Sequence, residues 1–320
     1  MRVLVRLGVL LAVLAIWGSA DADSYPDRPI RIIVPFPPGG PASTVADVVG
    51  PELSERLEQK VMIDNRGGAD GIVGSEVVAK APPDGYTLLL ATSAHVLHPG
   101  TYRSLPFDTE KAFAPISLLL TSQYMLVVNA SLPIDSVEEL IAYARSHPGK
   151  LTYASGGLGG PTHLAFEQFK LTAGISMIHI PYDGGGSALL GVVTGEAQVM
   201  LAPILAAIPM VRDGRLRALA VSGRHPDPAA PDLPTIAETL PGFSAVSWFG
   251  VLAPAGTPAA VITRLNTEFD RIVRTPETQK RFAAIGGEAV GGPPATLATL
   301  IHQEIPRWIR VAKEADIHIE

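Results

Sequence analysis

Apolar residues along this chain form two patterns that alternate through its first two thirds. Short apolar runs, typical of buried strands, occupy residues 30–34, 61–64, 87–91, 124–129, 151–154, 177–180, 198–201 and 217–221. Segments with the 3.6-residue spacing of amphipathic helices lie between several of these runs, at residues 43–57, 72–80 and 136–146. This alternation predicts parallel sheets with helices on both faces.

The last third of the chain predicts mainly helices. Thr257-Pro258 has the composition of a helix start with proline at the first position, and residues 295–315 form another long helical pattern. A chain of 320 residues is larger than a single core comfortably supports. We therefore expect an α/β fold with two lobes, each a mostly parallel sheet flanked by helices.

The first 22 residues have the composition of a secretory signal peptide. Arg2 and Arg6 precede an apolar stretch at residues 7–17, and small residues follow, so cleavage is expected after Ala20 or Ala22. About eleven apolar residues is too short to cross a bilayer, which needs about 20. The pattern predicts an exported, soluble mature chain without stable membrane insertion, and a bacterial periplasm fits best.

Composition excludes several function classes. The net charge of −6 leaves no basic surface for nucleic acid, and the absence of cysteine excludes disulfides and thiolate metal sites. His95 and His98 have H-x-x-H spacing, but no carboxylate pair lies nearby to complete a metal site. No nucleotide-binding fingerprint is present. We expect neither a metal nor a cofactor.

Two glycine-rich loops follow predicted strands and enter predicted helices. The first loop, residues 36–44, reads FPPGGPAST, and the second, within residues 153–163, reads YASGGLGGPTH. Such a loop presents backbone N–H groups at a helix N-terminus, where an anion is stabilised. Each loop alone is equally consistent with a steric connection. Together, in two lobes, they predict a clamp for a carboxylate.

Longer motifs carry a family resemblance. The segments PFPPGGPAST, VMIDNRGGADGIVGSEVVAKAPPDGYTLLLAT, YASGGLGGPTHLAFEQF, HIPYDGGGSALLGVVTGE and SWFGVLAPAGTP resemble the Bug family, the TctC-type solute-binding proteins of tripartite tricarboxylate transporters. The resemblance implies a two-lobed, type II-like periplasmic binding protein with discontinuous lobes. Lobe 1 is expected at residues 25–125 plus 249–298, and lobe 2 at residues 126–248 plus 299–320.

The resemblance also implies a ligand site and partners. In the first loop it places Phe36, Gly39, Gly40, Ala42, Ser43 and Thr44 at the ligand. In the second loop it places Ser155, Gly156, Gly157, Gly159 and Thr162 there, with Ser93, Ala202 and Trp248 lining the cleft. The implied partners are a small carboxylated solute and the membrane subunits of the transporter, and the receptor is expected to be a monomer.

Two departures from the family pattern bear on the ligand. Ala202 stands where the family often has an acidic residue able to face an amine, which disfavours an amino acid. Leu158 replaces a usual asparagine, and Gly160 and Pro161 replace polar residues, which suggests a ligand with an apolar body. An organic di- or tricarboxylate or an aromatic acid is therefore favoured.

Two other functions remain open from the sequence. A sensory receptor that reports carboxylate to a membrane kinase would have the same physical features. A secreted serine hydrolase would use Ser155 or Ser93 with His163 or His95, although neither serine lies in a G-x-S-x-G elbow. The hydrolase predicts a serine–histidine hydrogen bond in one of these pairs.

Overall fold

The computed structural model describes residues 25–319, so the predicted signal peptide lies outside the described residues. The strands are β1 Ile30–Val34, β2 Val61–Asn65, β3 Thr87–Thr92, β4 Phe113–Asn129, β5 Thr152–Ser155, β6 Ile178–Pro181, β7 Val199–Pro203, β8 Leu216–Val221, β9 Val246–Pro254 and β10 Glu288–Ala289. The helices are α1 Pro41–Leu57, α2 Ile72–Ala79, α3 Ala94–Thr101, α4 Val137–Ser146, α5 Pro161–Ala173, α6 Gly185–Thr194, α7 Ile204–Arg212, α8 Ile236–Thr239, α9 Ala259–Val273, α10 Pro276–Ala283 and α11 Pro294–Glu314.

The described strands form a mixed sheet in the order β2-β1-β3-β9-β4-β7-β5-β6, with β8 and β10 also paired to β4. In the first half, β1 is parallel to β2 and β3, and in the second half β5 is parallel to β6 and β7. Strand β9 runs antiparallel to β3 and β4, and β4 runs antiparallel to β7 and β8. The predicted α/β class is confirmed. Neighbouring strands are parallel in the β1-β2-β3 and β5-β6-β7 units, and the antiparallel pairs involve β4 and β9, the strands that join the two halves.

Strand β4 is much longer than the sequence predicted. It has 17 residues, of which the apolar run predicted only residues 124–129. Its middle carries polar Thr121, Ser122 and Gln123, which are only half buried because they lie where the strand passes from one half to the other. Because this polar segment interrupts the apolar run, the sequence pattern did not predict one continuous strand.

The direction of β4 sets the orientation of both halves. Strands β1 and β3 run in the same sense as β4, so their carboxyl ends point along β4 toward the second half. Strands β5 and β7 run opposite to β4, so their carboxyl ends point back toward the first half. The strand-to-helix loops of the two halves therefore face each other across the junction.

One hydrophobic core is shared by the two halves. It joins Ile33 and Leu89 of the first half with Leu126 and Phe166 of the second, and Trp308 of α11 packs into it. Helix α11 lies against α3 in the first half and α5 in the second. Two further cores each lie within one half. In the first half, α1 and α9 pack on the sheet, and in the second half α6 and α7 do so. No helix among residues 25–319 is long and apolar enough to cross a membrane.

The contact between α3 and α11 leaves no room for a side chain at Gly100. A Cβ built there would lie 2.9 Å from Ile309 Cα and 3.0 Å from the Trp308 carbonyl oxygen, both backbone atoms of α11. We expect Gly100→Ala to lower the free energy of unfolding by about 1–3 kcal/mol, because the two helices must separate. Chemical denaturation measures this change.

Gly186 of α6 is the matched control for that substitution. A Cβ at Gly186 meets no atom within 4 Å. Because alanine has a higher helix propensity than glycine, Gly186→Ala should be neutral or stabilise by up to about 1 kcal/mol. Equal effects at the two positions would contradict the close approach of α3 and α11.

Candidate functional site

The first loop leads from β1 into α1 and leaves the start of that helix without a side-chain cap. The N-cap is Gly40, with extended backbone angles (φ −87°, ψ 175°), and Pro41 follows at the first helical position. The first helical hydrogen bond runs from the Thr44 N–H to the Gly40 carbonyl, at 3.1 Å. The N–H groups of Ala42 and Ser43 precede that bond, so they are free to bind a ligand.

Asn65, at the end of β2, holds the first loop in place. Its Nδ2 donates to the Phe36 carbonyl at 2.9 Å and to Ser43 Oγ at 2.8 Å. The segment after β2 packs closely on the same loop and on Pro35 before it, since a Cβ built on Gly71 would lie 3.3 Å from Phe36 Cζ and one on Gly74 would lie 2.7 Å from Pro35 Cα. Sequence reasoning missed Asn65. The available signal was a polar residue directly after an apolar strand, at the carboxyl edge of the sheet.

A cavity of about 560 Å³ lies against the first loop. Its lining contains no charged side chain and consists of Phe36, Pro37, Pro38, Gly39, Gly40, Pro41, Ala42, Thr92 and Phe249. Phe36 and Phe249 supply apolar walls, and the start of α1 supplies the positive end of a helix dipole. The cavity therefore suits an anion with an apolar body.

The second loop repeats the same helix start in the second half. Gly160 is the N-cap of α5 with extended angles (φ −75°, ψ 171°), no side chain caps it, and Pro161 follows. The Leu164 N–H bonds to the Gly160 carbonyl at 3.0 Å. The N–H groups of Thr162 and His163 thus occupy the positions that Ala42 and Ser43 hold in α1.

A third helix start, that of α6, adjoins the second loop. The Gly184 N–H donates to the Gly156 carbonyl at 3.2 Å, and a Cβ built on Gly156 would lie 3.0 Å from the Gly185 backbone nitrogen. Gly184 is the N-cap of α6 and has no side-chain cap. The glycines at 184–186 look in sequence like a simple turn before a helix. The structure adds that this turn is packed against the second loop.

The carboxyl end of β3 lies between the two loops. Thr92 lines the cavity of the first loop, and the adjacent Ser93 shares a crevice of about 10 Å³ with Pro161 of the second loop and with Tyr124. Ser93 Oγ lies 3.2 Å from Ser247 Oγ. Ser155, Gly156, Gly157, Gly159 and Thr162 do not line the first-loop cavity in this arrangement of the halves.

The remaining predicted cleft residues have buried side chains. Ala202 and Trp248 are both 0% exposed, and Ala202 is paired with Met125 of β4. The Trp248 carbonyl accepts the Ser93 N–H at 3.0 Å. The Trp248 indole nitrogen has no hydrogen-bond partner among residues 25–319. By contrast, Leu158 at the tip of the second loop is 55% exposed.

The serine–histidine pairs named for a serine hydrolase, Ser155 or Ser93 with His163 or His95, are not hydrogen-bonded among the described residues. Ser155 is fully buried and its Oγ lies 2.7 Å from His179 Nε2, not from His163. His95 Nε2 lies 3.0 Å from the Thr109 carbonyl, and burial lowers the pKa of His95 to about 3. Within the described part of the chain, no cluster of three or more metal-ligating side chains exists.

Comparison with known families finds a match over most of the chain. The model described as "Tripartite tricarboxylate transporter family receptor" matches residues 45–317. Protein BugT of Bordetella pertussis is 36% identical over 316 residues, which cover 98% of this chain and 97% of BugT.

Solved structures agree with this match. A Rhodopseudomonas palustris protein solved with adipate has 35% identity and a TM-score of 0.78, covering 92% of this chain and 100% of its own. MatC from the same organism, solved with bound malate, has 31% identity and a TM-score of 0.75, with coverage of 90% and 100%.

Gly39 and Gly40 provide a matched pair for the first loop. A Cβ at Gly39 has no atom within 4 Å, and one at Gly40 meets only the Pro37 carbonyl at 3.9 Å, so neither substitution to alanine clashes. Gly39 has φ +87°, whereas Gly40 is extended. We expect Gly39→Ala to destabilise the protein by about 1–2 kcal/mol and Gly40→Ala to have little effect. Denaturation curves that fail to separate the two variants would contradict this loop conformation.

Proposed function

Since the chain belongs to the tripartite tricarboxylate transporter receptor family, whose members are receptors and not enzymes, we propose that it captures a small organic carboxylate and delivers it to membrane transporter subunits. The proposed place of action is the periplasm, after removal of residues 1–22. The receptor is proposed to act as a monomer.

The observation that carries this proposal is the pair of matching helix starts in the two halves. Gly40-Pro41 and Gly160-Pro161 begin α1 and α5 in the same way, and neither helix has a side-chain cap. A hydrogen bond from a backbone N–H to a charged oxygen contributes about 1.5–3 kcal/mol. The helix dipole adds about 0.3–1 kcal/mol at each end. Several such donors can offset the desolvation of a carboxylate without a lysine or arginine.

The ligand is proposed to bridge the two loops. On one side lie Phe36, Gly39, Gly40, Ala42, Ser43 and Thr44, and on the other Ser155, Gly156, Gly157, Gly159 and Thr162. Ser93 lies between them, and movement of lobe 2 (residues 126–248 plus 299–320) toward lobe 1 would close the cleft around the ligand. Ala202 and Trp248, whose side chains are buried, are proposed to support the cleft from behind its surface. Because only the closed form makes both sets of contacts, a ligand stabilises closure.

The chemistry of the cavity favours a carboxylate with an apolar body and no amine. The first-loop cavity has no charged side chain, and Ala202 stands in the sequence where the family often has an acidic residue able to face an amine. Two similar receptors were solved with adipate and malate, both dicarboxylates. An aliphatic dicarboxylate with one carboxylate at each helix start, or an aromatic acid, fits these features best.

A thermal-shift screen tests the proposed ligand class. Adipate, malate, a tricarboxylate, benzoate and several amino acids are compared at millimolar concentration. A ligand at about 100 times its dissociation constant stabilises the folded protein by about 2.7 kcal/mol, which corresponds to a rise of about 5 °C in Tm. We expect such a rise with dicarboxylates or aromatic acids and none with amino acids. Stabilisation by amino acids alone would overturn the proposed class.

A carboxylate built into the helix start provides a sharper test of the site. Gly40 has the backbone angles of an ordinary N-cap, and a Cβ there meets no close atom, so Gly40→Asp should cap α1 with its own carboxylate. We expect the free protein to keep its stability or gain up to about 1 kcal/mol, while carboxylate binding is lost. Gly160→Asp should act in the same way on α5. Isothermal titration calorimetry with the best acid of the screen measures the loss.

The control for both variants is alanine at the same position. Gly40→Ala and Gly160→Ala add a Cβ without adding an acceptor, so binding should persist. If the aspartate variants bind as well as the wild type, the two helix starts are not the ligand site.

A further inference from the structure

Two stacked histidines lie beneath the second loop. The rings of His163 and His179 have centroids 3.8 Å apart and are inclined by only 13°. His163 is on α5 and His179 is on β6, the edge strand that pairs with β5. Tyr153 of β5 stacks on His179 at 4.9 Å. The pair therefore joins three elements that surround the loop.

Each histidine contacts the loop at a different point. The Gly159 N–H donates to His163 Nδ1 at 3.0 Å, and Ser155 Oγ lies 2.7 Å from His179 Nε2. Ser155 Oγ in turn accepts the Gly157 N–H at 3.3 Å. One histidine thus holds the start of the loop through Ser155, and the other holds its last turn before α5.

The bond at His163 defines its protonation state. Nδ1 accepts a hydrogen bond, so the neutral ring carries its proton on Nε2, which lies 3.8 Å from Glu167 Oε1. Protonation would place a second N–H at Nδ1, directly facing the Gly159 N–H. The loop contact therefore requires a neutral His163.

The surrounding charges are already paired. Lys170 Nζ contacts Glu167 at 2.6 and 2.8 Å, and the Tyr153 hydroxyl donates to the same carboxylate. These groups, from α5 and β5, are the charged and titratable neighbours that face the two rings. Because the Glu167 carboxylate is shared between Lys170 and Tyr153, it does not compensate for a charge on His163.

We propose that His163 and His179 are positioning residues for the ligand: as a neutral stacked pair they hold the second loop so that the free N–H groups of Thr162 and His163, at the start of α5, face the cleft. This inference rests on the proposed function, because it assigns the loop to carboxylate binding. Gly159 has φ +72° and Gly157 has φ +140°, so the loop needs external contacts to keep one conformation.

The direction of the pKa shifts agrees with a neutral pair. Burial lowers the pKa of His163 to about 3, with a further reduction from His179, and burial lowers the pKa of His179 to about 4. Histidine in the unfolded chain has a pKa of about 6.5. Because the folded values are lower, the contribution of the pair to stability is complete above about pH 6.5 and is lost as the pH falls toward 4.

Isosteric variants test the positioning role. His163→Asn keeps an acceptor at the position of Nδ1, and His179→Gln keeps a polar atom at the position of Nε2, whereas the leucine variants keep neither. With adipate as the probe at pH 7.5, we expect His163→Leu and His179→Leu to bind about tenfold more weakly, which corresponds to the loss of one hydrogen bond. The amide variants should stay within about threefold of the wild type.

A readout that needs no ligand separates this proposal from the proposed function. In ¹⁵N-labelled protein, the Gly159 amide should exchange with solvent faster in His163→Leu than in wild type and remain protected in His163→Asn. Unchanged protection in both variants overturns the positioning role, even if adipate binds. If the wild-type protein binds no carboxylate but the Gly159 amide exchanges as expected in the two variants, the proposed function is wrong, while the role of His163 in holding the second loop is supported.

The pH profile adds a signature that packing alone would not give. Between pH 7 and pH 4.5, the Tm of His163→Asn should fall less than that of the wild type, because one of the titrating groups is gone. An identical pH profile in the two proteins would show that His163 does not lie in the neutral pair described above.

Discussion

The pairing of β4 with strands of both halves is the constraint on which the rest of the structure depends. Because β1 and β3 run with this strand and β5 and β7 run against it, the carboxyl ends of both strand sets meet at one junction. The glycine-rich loops follow those carboxyl ends, so they face each other without any direct bond between them. Helix α11 and the shared core connect the two halves on one face of the sheet, whereas the cores on the other face are each confined to one half.

The absence of side-chain caps explains how the proposed anion site can form at small cost to the fold. Helices α4 and α10 have Ser136 and Thr275 as side-chain caps, whereas α1, α5 and α6 begin with glycine. A glycine N-cap is less favourable than serine by only a few tenths of a kcal/mol. A serine or aspartate would occupy the same N–H groups that a ligand needs. Glycine therefore leaves the donors free while the helix remains stable.

Sequence patterns predicted the parallel units well and the junction poorly. The run at residues 30–34 coincides with β1, and both loops lie where the change from strand to helix predicted them. The length of β4 was missed because Thr121, Ser122 and Gln123 interrupt its apolar run. Strand β10 was missed because two residues carry no periodic signal. Short-range patterns report local structure, whereas a junction depends on partners distant in sequence.

The same distinction applies to the candidate site. The uncapped helix starts can be read from Gly-Gly-Pro in the sequence, since all the residues involved are neighbours. The contact of His179 with Ser155 cannot, because it depends on the register that pairs Tyr153 with His179 in β5 and β6. Backbone donors recognise a carboxylate group but carry no information about the rest of a ligand. Selectivity in the proposed site must therefore come from the side chains around the carboxylate, and the first-loop cavity offers Phe36 and Phe249, which present apolar surface in place of charge.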